Sequence, residues 1–295
     1  MNTGRVSTTL PRMHANMGAP RAIYIVVKPG HAHARELARE IAGWLAGRGV
    51  AASVLDHPAS AVRSLPPEVG PGDLLLVLGG DGTMLGVSRA AVSRGLPVLG
   101  LNLGRVGFLN EIPVQDWAEC LAQILDRGVD VVRHLVLRYA VERDGEVLRS
   151  GVAVNDLVVS RGALARLVHL GLAVDGEPLT GMRADGIIVA TPLGSTAYCV
   201  SAGGPIVHPS LDLFTVTPIC PFLQNLRPLA LPGRCELAIR VEGLAPKVHL
   251  TVDGQEGLLL APGDVLTASR SGSDLLLASL GRTSYLARLR DKGIV

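Results

Sequence analysis

Residues 74–83, LLLVLGGDGT, join a strand-like apolar run to a turn that could hold phosphate. Leu74 to Leu78 are apolar throughout, as a parallel strand covered on both faces must be. Gly79, Gly80 and Gly82 allow a tight turn and a close backbone approach. Thr83 is expected to cap a helix running from Thr83 to Arg94. A glycine turn between strand and helix aims free N–H groups and a positive dipole end at one point, which suits a phosphate. The unusual residue is Asp81, a carboxylate inside the turn. An acid repels a phosphate unless it binds a metal or takes a proton, so the turn points to phosphoryl chemistry. The bland alternative is a plain connection with Asp81 on the surface, since Gly and Asp are common in turns. The turn is not a Walker A motif, because no Lys follows a glycine anywhere in the chain. It is not the GxGxxG fingerprint either, because Gly86 falls one residue late.

Further segments combine small residues with polar groups. NLGRVGFLNE spans Asn102 to Glu111, and Asn155-Asp156 stands at an expected strand start. The segment ADGIIVATPLGSTAYCVSAGGPI runs from Ala184 to Ile206. There a strand over Ile187–Ala190 leads into Thr191-Pro192, a glycine, and Ser195-Thr196-Ala197 opening a short helix. Small residues at that point let a ligand lie against backbone, with hydroxyls and N–H groups facing it. TPICPFLQNLRPL, 217–229, and DGQ, 253–255, complete the set.

The elements that must position these groups fall into two halves. Ala22–Val27, Val50–Leu55, Leu74–Leu78 and Pro97–Leu101 read as strands, with helices over Arg35–Arg48, after the glycine turn, and over Asp116–Asp126. That alternation makes residues 21–134 an open α/β domain. From about Val131 the pattern changes to short alternating runs with turns at Asp144-Gly145 and Asp175-Gly176. These runs include Val136–Glu142, Glu146–Val152, Asn155–Ser160, Val168–Val174, Glu236–Val241, Val248–Val252, Gly257–Leu260 and Leu275–Ala278. An all-β sandwich over 135–275 follows. Residues 1–20 read as a disordered tail. Residues 276–295 form a C-terminal segment that could pack back on the first domain. The crevice between two such domains is a common ligand site.

Composition sets the bounds. The 295 residues are 48% hydrophobic, 18% charged and only 3% aromatic, with a net charge of +2. A sizeable core is available, but stacking platforms for single-stranded nucleic acid are not. The scattered basic residues and near-neutral charge argue against a nucleic-acid partner. Cys120, Cys199, Cys220 and Cys235 lack CxxC spacing and read as thiols of a reducing compartment. His31 and His33 have no second ligand pair, so no metal site is expected from them. No signal peptide is visible, and the uncharged run Gly186–Leu211 is too rich in Pro, Gly, Ser and Thr for a membrane helix. A cytoplasmic protein without a membrane partner is the expectation.

Taken in order, these segments resemble the NAD kinase family. The resemblance rests on GGDGT at 79–83, NLGRVGFL at 102–109, Asn155-Asp156, DGI at 185–187, TPxGSTAY at 191–198, SAGGPI at 201–206, Arg227-Pro228 and DGQ at 253–255. GGDG alone is shared with diacylglycerol and sphingosine lipid kinases, whereas TPxGSTAY with SAGGP narrows the choice. The resemblance implies the NAD kinase/diacylglycerol kinase-like fold and phosphoryl transfer from ATP, or polyphosphate, to the adenosine-ribose 2′-hydroxyl of NAD. A lipid kinase and a non-catalytic dinucleotide-binding regulator are the rivals. It implies Asp81 as general base, with Gly79, Gly80, Gly82 and Thr83 around the phosphates and a divalent cation, Mg²⁺, alongside them. Asn155 and Asp156 would bind ribose hydroxyls or the nicotinamide side. Arg183 and Asp185 would fix the nicotinamide end across a subunit boundary, with Arg166 a more loosely matched companion. Thr196, Ala197, Tyr198 and Ser201 would line the adenine and ribose pocket, and Gln255 would close it. A homodimer or homotetramer is implied as well.

Each assignment has a plainer alternative: an Asx turn for Asn155-Asp156, a solvated strand-edge charge for Arg183, core packing for Tyr198. His208, before Pro209, reads as structural. Three positions depart from the family pattern. Phe222 stands where a His is usual, Leu157 where an acid is common after Asn-Asp, and Leu193 where a small residue or Thr precedes GSTAY.

Overall fold

The computed structural model describes residues 14–28, 30–56, 65–104, 107–110, 112–162, 166–222, 226–243, 247–281 and 284–295. The first half alternates strands and helices: β1 (His14–Asn16), β2 (Ala22–Val27), α1 (Ala32–Ala46), β3 (Ala51–Asp56), β4 (Leu74–Leu78), α2 (Asp81–Val92) and β5 (Pro97–Asn102). The short β6 (Ile112–Pro113), α3 (Trp117–Arg127) and β7 (Asp130–His134) complete it. The second half is nearly all strand: β8 (Leu137–Arg143), β9 (Glu146–Ala153), β10 (Asp156–Arg161), β11 (Val168–Val174), β12 (Glu177–Ala184) and β13 (Gly186–Ala190). After α4 (Tyr198–Ser201) come β14 (Leu213–Ile219), β15 (Leu229–Pro232), β16 (Leu237–Glu242), β17 (Val248–Val252), β18 (Glu256–Leu260) and β19 (Val265–Arg270). The chain then returns through β20 (Leu275–Ala278) and α5 (Tyr285–Asp291).

The first sheet has the order β1-β7-β20-β5-β4-β2-β3, with β6 paired to β5. Its centre is parallel, and β4 is buried at every residue. Both faces of a parallel sheet must be covered, and two clusters do this. One face packs Ile23, Ile25, Leu74, Leu76 and Leu78 against Leu37, Ile41 and Leu45 of α1 and Leu121 and Ile124 of α3. These helix residues recur every three or four positions, the spacing of one apolar stripe. The other face packs Tyr24, Val26, Leu75 and Val77 against Met84, Leu85, Val87 and Ala91 of α2. Val154 and Leu193 of the second half join that cluster, so the two halves share a core. Fully burying each such aliphatic side chain contributes roughly 1.5–3 kcal/mol.

The second half is a sandwich of two six-stranded antiparallel sheets, ordered β15-β14-β13-β10-β17-β18 and β12-β11-β16-β19-β8-β9. Their inner faces meet in one cluster that includes Leu157, Ile187, Val189, Phe214, Leu170, Ile239 and Leu266. Two hairpins turn at Asp144-Gly145 and Asp175-Gly176, where φ is positive at both residues of each pair (51° and 85°, 51° and 82°). That geometry is the hairpin turn that matches strand twist.

Three sequence expectations change. Residues 14–16 are not tail: β1 pairs antiparallel with β7 along His14↔Val132 to Asn16↔Asp130. Leu275–Ala278 belongs to the first sheet, not the sandwich, between β7 and β5. Helix α2 begins at Asp81 rather than Thr83, because Gly80 takes the N-cap position in an extended conformation. Thr83 does not cap it; its side chain packs against Gly79.

Candidate functional site

Strand order places the site. From β2 the chain moves one way to β3 and then the other way to β4, so the sheet has a switch point between β2 and β4. Crevices outside the carboxyl ends of strands at such points are where ligands bind in open α/β sheets. The turn Gly79-Gly80 leaves β4 at that edge and feeds α2. The first helical bond runs from Met84 N–H to Gly80 O, so the amides ahead of Met84 stand before the helical ladder. Among the described residues, no atom beyond its own neighbours in the chain lies within 4 Å of a Cβ built on Gly80.

Asp81 is the first residue of α2, and the loop after β5 wraps around its carboxylate. Phe108 N–H donates to Oδ2 at 2.7 Å, and Leu109 and Asn110 N–H donate to Oδ1 at 3.2 and 3.3 Å. Gly107 comes so close that a Cβ there would fall within the carboxylate. Two carboxylate oxygens offer about four lone-pair sites. Three are taken by backbone, which leaves room for one more donor. Arg105, Val106 and Glu111 of this loop lie outside the described residues.

From α2 a chain of polar contacts crosses to the sandwich. Gln255 Nε2 donates to Gly82 O. Arg89, also on α2, reaches Asp253 Oδ2 at 3.0 Å, Gln255 Oε1 at 3.0 Å and Glu256 Oε1 at 3.3 Å. Asp253 has a fully buried side chain and a φ of 50°. It accepts from Val154 N–H at 3.1 Å, Asn155 N–H at 2.7 Å and Asp156 N–H at 3.1 Å. Thr191 fastens the other side, with its N–H on Asn155 O at 2.9 Å and its hydroxyl on Val154 O at 2.7 Å. Asp81, Gly82, Gln255, Asn155, Asp156 and the turn after β13 are therefore tied into one region between the halves. The sequence reading missed Arg89 and Asp253 as its organisers. Asp253 stood in the DGQ motif; Arg89 has no local signal.

Two polar groups there stand out. Asn155 Oδ1 accepts no hydrogen bond from the described residues. Burial, and then the charge of Asp253, push the Asp156 carboxyl up to about 7. Of the adenine-pocket candidates, Thr196 is half-buried with its hydroxyl on Leu193 O at 3.1 Å, and Ala197 is half-buried. Tyr198 and Ser201 are exposed on α4, so Tyr198 is not core.

The remaining candidates gather at the far end of the sandwich. Asp185, between β12 and β13, is held by Arg161 Nε at 2.6 Å. The Arg183 guanidinium lies 5.5 Å from the ring centre of Phe222, whose N–H donates to Arg183 O at 2.8 Å. Arg166 is exposed two residues before Val168, which pairs with Ala184. Among the described residues no hydrogen bond or ion pair joins Arg166, Arg183 or Asp185 to the Asp81 region. Leu157 and Leu193 are buried in the sandwich and shared cores, so those two departures from the family pattern serve packing.

This is the architecture of a two-domain kinase with its glycine turn at a domain boundary. The chain belongs to the NAD kinase family: the ATP-NAD kinase N-terminal domain matches residues 70–129 and the ATP-NAD kinase C-terminal domain residues 154–280. It is 50% identical over 277 residues to an NAD kinase of Nitratidesulfovibrio vulgaris, covering 93% of this chain and 92% of the relative. An NAD kinase of Oleidesulfovibrio alaskensis is 43% identical, with 93% and 94% covered. The fold is similar to yeast NADH kinase complexed with NADH, at a TM-score of 0.79 and 26% identity over 93% of this chain and 87% of that one. It is also similar to an NAD kinase from Archaeoglobus fulgidus in complex with ATP, at a TM-score of 0.71 and 26% identity, with 91% and 96% covered.

Proposed function

We propose that this protein transfers the terminal phosphoryl group of ATP to the 2′-hydroxyl of the adenosine ribose of NAD, giving NADP, with Asp81 as the group that takes the hydroxyl proton. The observation that carries the residue assignment is the Asp81 carboxylate, fixed by three backbone N–H donors at the head of α2 with one acceptor site left over. A hydroxyl is a poor nucleophile, and a carboxylate in hydrogen-bond reach orients it and accepts its proton as the new P–O bond forms and the bond from the γ-phosphorus to the departing ADP breaks. The rest of the work in phosphoryl transfer is alignment and charge neutralisation. The amides of Gly80 to Thr83 at the helix start suit the donor phosphates.

Magnesium enters as part of the ATP substrate. Among the described residues no three His, Cys, Asp or Glu side chains converge into a metal cluster. Mg²⁺ bound through phosphates, waters and at most one or two carboxylates needs none. It neutralises charge on the transferring group.

On the acceptor side, the orphaned Asn155 Oδ1 and the Asp156 carboxyl suit ribose hydroxyls. Thr196, Ala197, Tyr198 and Ser201 form the adenine wall, and Gln255 holds Gly82 in register. Arg183, Asp185, Phe222 and Arg166 belong to the nicotinamide end, completed by a second copy of the chain in a homodimer or homotetramer. Exposed Val147, Leu148, Leu179 and Leu259 on edge or outer strands supply apolar surface for assembly. Among the described residues no helix is long and apolar enough to cross a membrane.

The test is incubation of the protein with NAD, ATP and Mg²⁺, with products read by mass spectrometry. Gain of one phosphate on NAD is expected. Phosphorylation of a lipid instead of NAD, or no transfer at all, overturns the assignment. Replacement of ATP by polyphosphate in the same assay decides the donor.

A further inference from the structure

Asn110 is polar yet fully buried. Its carboxamide Nδ2 donates to Gly79 O at 2.8 Å, on the first glycine of the phosphate turn. Its backbone N–H donates to Asp81 Oδ1 at 3.3 Å. One residue therefore grips both ends of the Gly79–Asp81 turn. The sheet is shaped to receive it: Gly100, in the middle of β5, lies beneath the carboxamide, and a Cβ built there would fall inside it. Gly100 is otherwise a poor choice for a buried central strand. The grip also has a cost. Asn110 Oδ1 is buried and accepts no hydrogen bond from the described residues. A buried amide oxygen with no donor among the described residues is costly to keep at a position that only fills space.

We infer that Asn110 is a positioning residue for phosphoryl transfer: it holds the Gly79 carbonyl and the Asp81 carboxylate in one fixed relation, so that proton acceptor and donor-phosphate turn move as a unit. This rests on the kinase reading above. The carboxamide sets the turn from inside the sheet, while Phe108 and Leu109 N–H set the carboxylate from outside. Loss of the amide frees the Gly79 carbonyl to rotate and lets Asp81 drift. Small misplacements of this kind reduce turnover steeply while leaving acceptor binding intact.

The experiment compares the parent with Asn110→Leu, which keeps the branched side chain without a donor, and Asn110→Ala, which leaves the space empty. Turnover number, Michaelis constants for NAD and MgATP, and melting temperature are measured for each. The parent is scored first for NADP formation; a parent without NAD kinase activity refutes the reaction, not the role of Asn110. With an active parent, both variants are expected to lose about tenfold or more in kcat with KM for NAD within about threefold, whatever their melting temperatures. If only one variant folds, it decides alone by the same criterion. A folded variant with kcat within about threefold of the parent overturns the inference. So does a loss of kcat that follows melting temperature, with the better-packed Leu variant near parental activity.

Discussion

Arg89 and Asp253 are 164 residues apart in sequence and 3.0 Å apart in space. The Arg89 side chain is 8% exposed and the Asp253 side chain 0%. This ion pair joins α2 of the first half to the turn between β17 and β18 of the second. Asp253 then spends its other lone pairs on the amides of Val154, Asn155 and Asp156. The helix that begins with Asp81 is thus geared directly to the two residues assigned to the acceptor ribose.

Arg89→Met should therefore destabilise the protein by about 3–5 kcal/mol, because it leaves Asp253 as an uncompensated buried charge. It should also raise KM for NAD, since the Asn155-Asp156 backbone loses its anchor. Arg89→Lys keeps the charge but not the fork that reaches Asp253, Gln255 and Glu256 together, so it should fall between. Denaturant melts and NAD saturation curves check both effects. A variant as stable as the parent would mean that the pair only breaks even against its desolvation.

Asp156 gives a pH prediction. Burial and the neighbouring Asp253 raise its folded value to about 7, against 3.8 for the ordinary side chain. Between those values the folded state holds a proton that the unfolded chain has released. Stability from this group is thus complete below the unfolded value and is lost as pH rises through about 7. Asp156→Asn removes that titration. The variant should melt with the parent near pH 4 and above it near pH 8. Thermal melts across that range test the sign; a gap that is constant with pH would show that Asp156 does not titrate there.

The glycine turn and the hairpins were legible because local chemistry dictates them. Gly and Asp crowd the end of an apolar run at 74–83, and Asp-Gly pairs are among the few that tolerate the positive φ at 144–145 and 175–176. The start of α2 was misplaced because an extended glycine at Gly80 serves as N-cap without a side chain, which made Thr83 look necessary. Leu275–Ala278 was grouped with the sandwich runs, although the segment from 276 was read as able to pack back on the first domain, because four apolar residues say "strand" but not which strand they join. Arg89 and Asn110 were illegible for the same reason. Their partners, Asp253 and the Gly79 carbonyl, are brought to them only by the fold.

Phe222 should act through packing at the nicotinamide end. Its ring faces the Arg183 guanidinium at 5.5 Å, and it remains 47% exposed. A His there keeps a flat ring but adds a polar edge and loses some of the cation–π contact. Phe222→His should change KM for the dinucleotide more than kcat. Steady-state kinetics decide it, and a large fall in kcat at unchanged KM would place residue 222 in the chemistry instead.

Asp81→Asn is the sharpest test of the mechanism. Asn cannot take a proton, so general-base loss should cost about 10²–10⁴-fold in kcat. The structure adds a second effect. Asp81 uses both oxygens, Oδ2 for Phe108 and Oδ1 for Leu109 and Asn110. An amide has one acceptor oxygen, so its NH₂ must face at least one of those N–H donors. The best arrangement keeps the Leu109 and Asn110 bonds and gives up Phe108. Melting temperature should therefore drop modestly while NAD still binds, and kcat should collapse. The NAD dissociation constant and single-turnover rate of the variant separate the two effects. If the rate falls less than about tenfold with NAD bound, Asp81 orients its loop and the proton leaves by another route. If binding is lost while the rate at saturation persists, its task is to shape the turn.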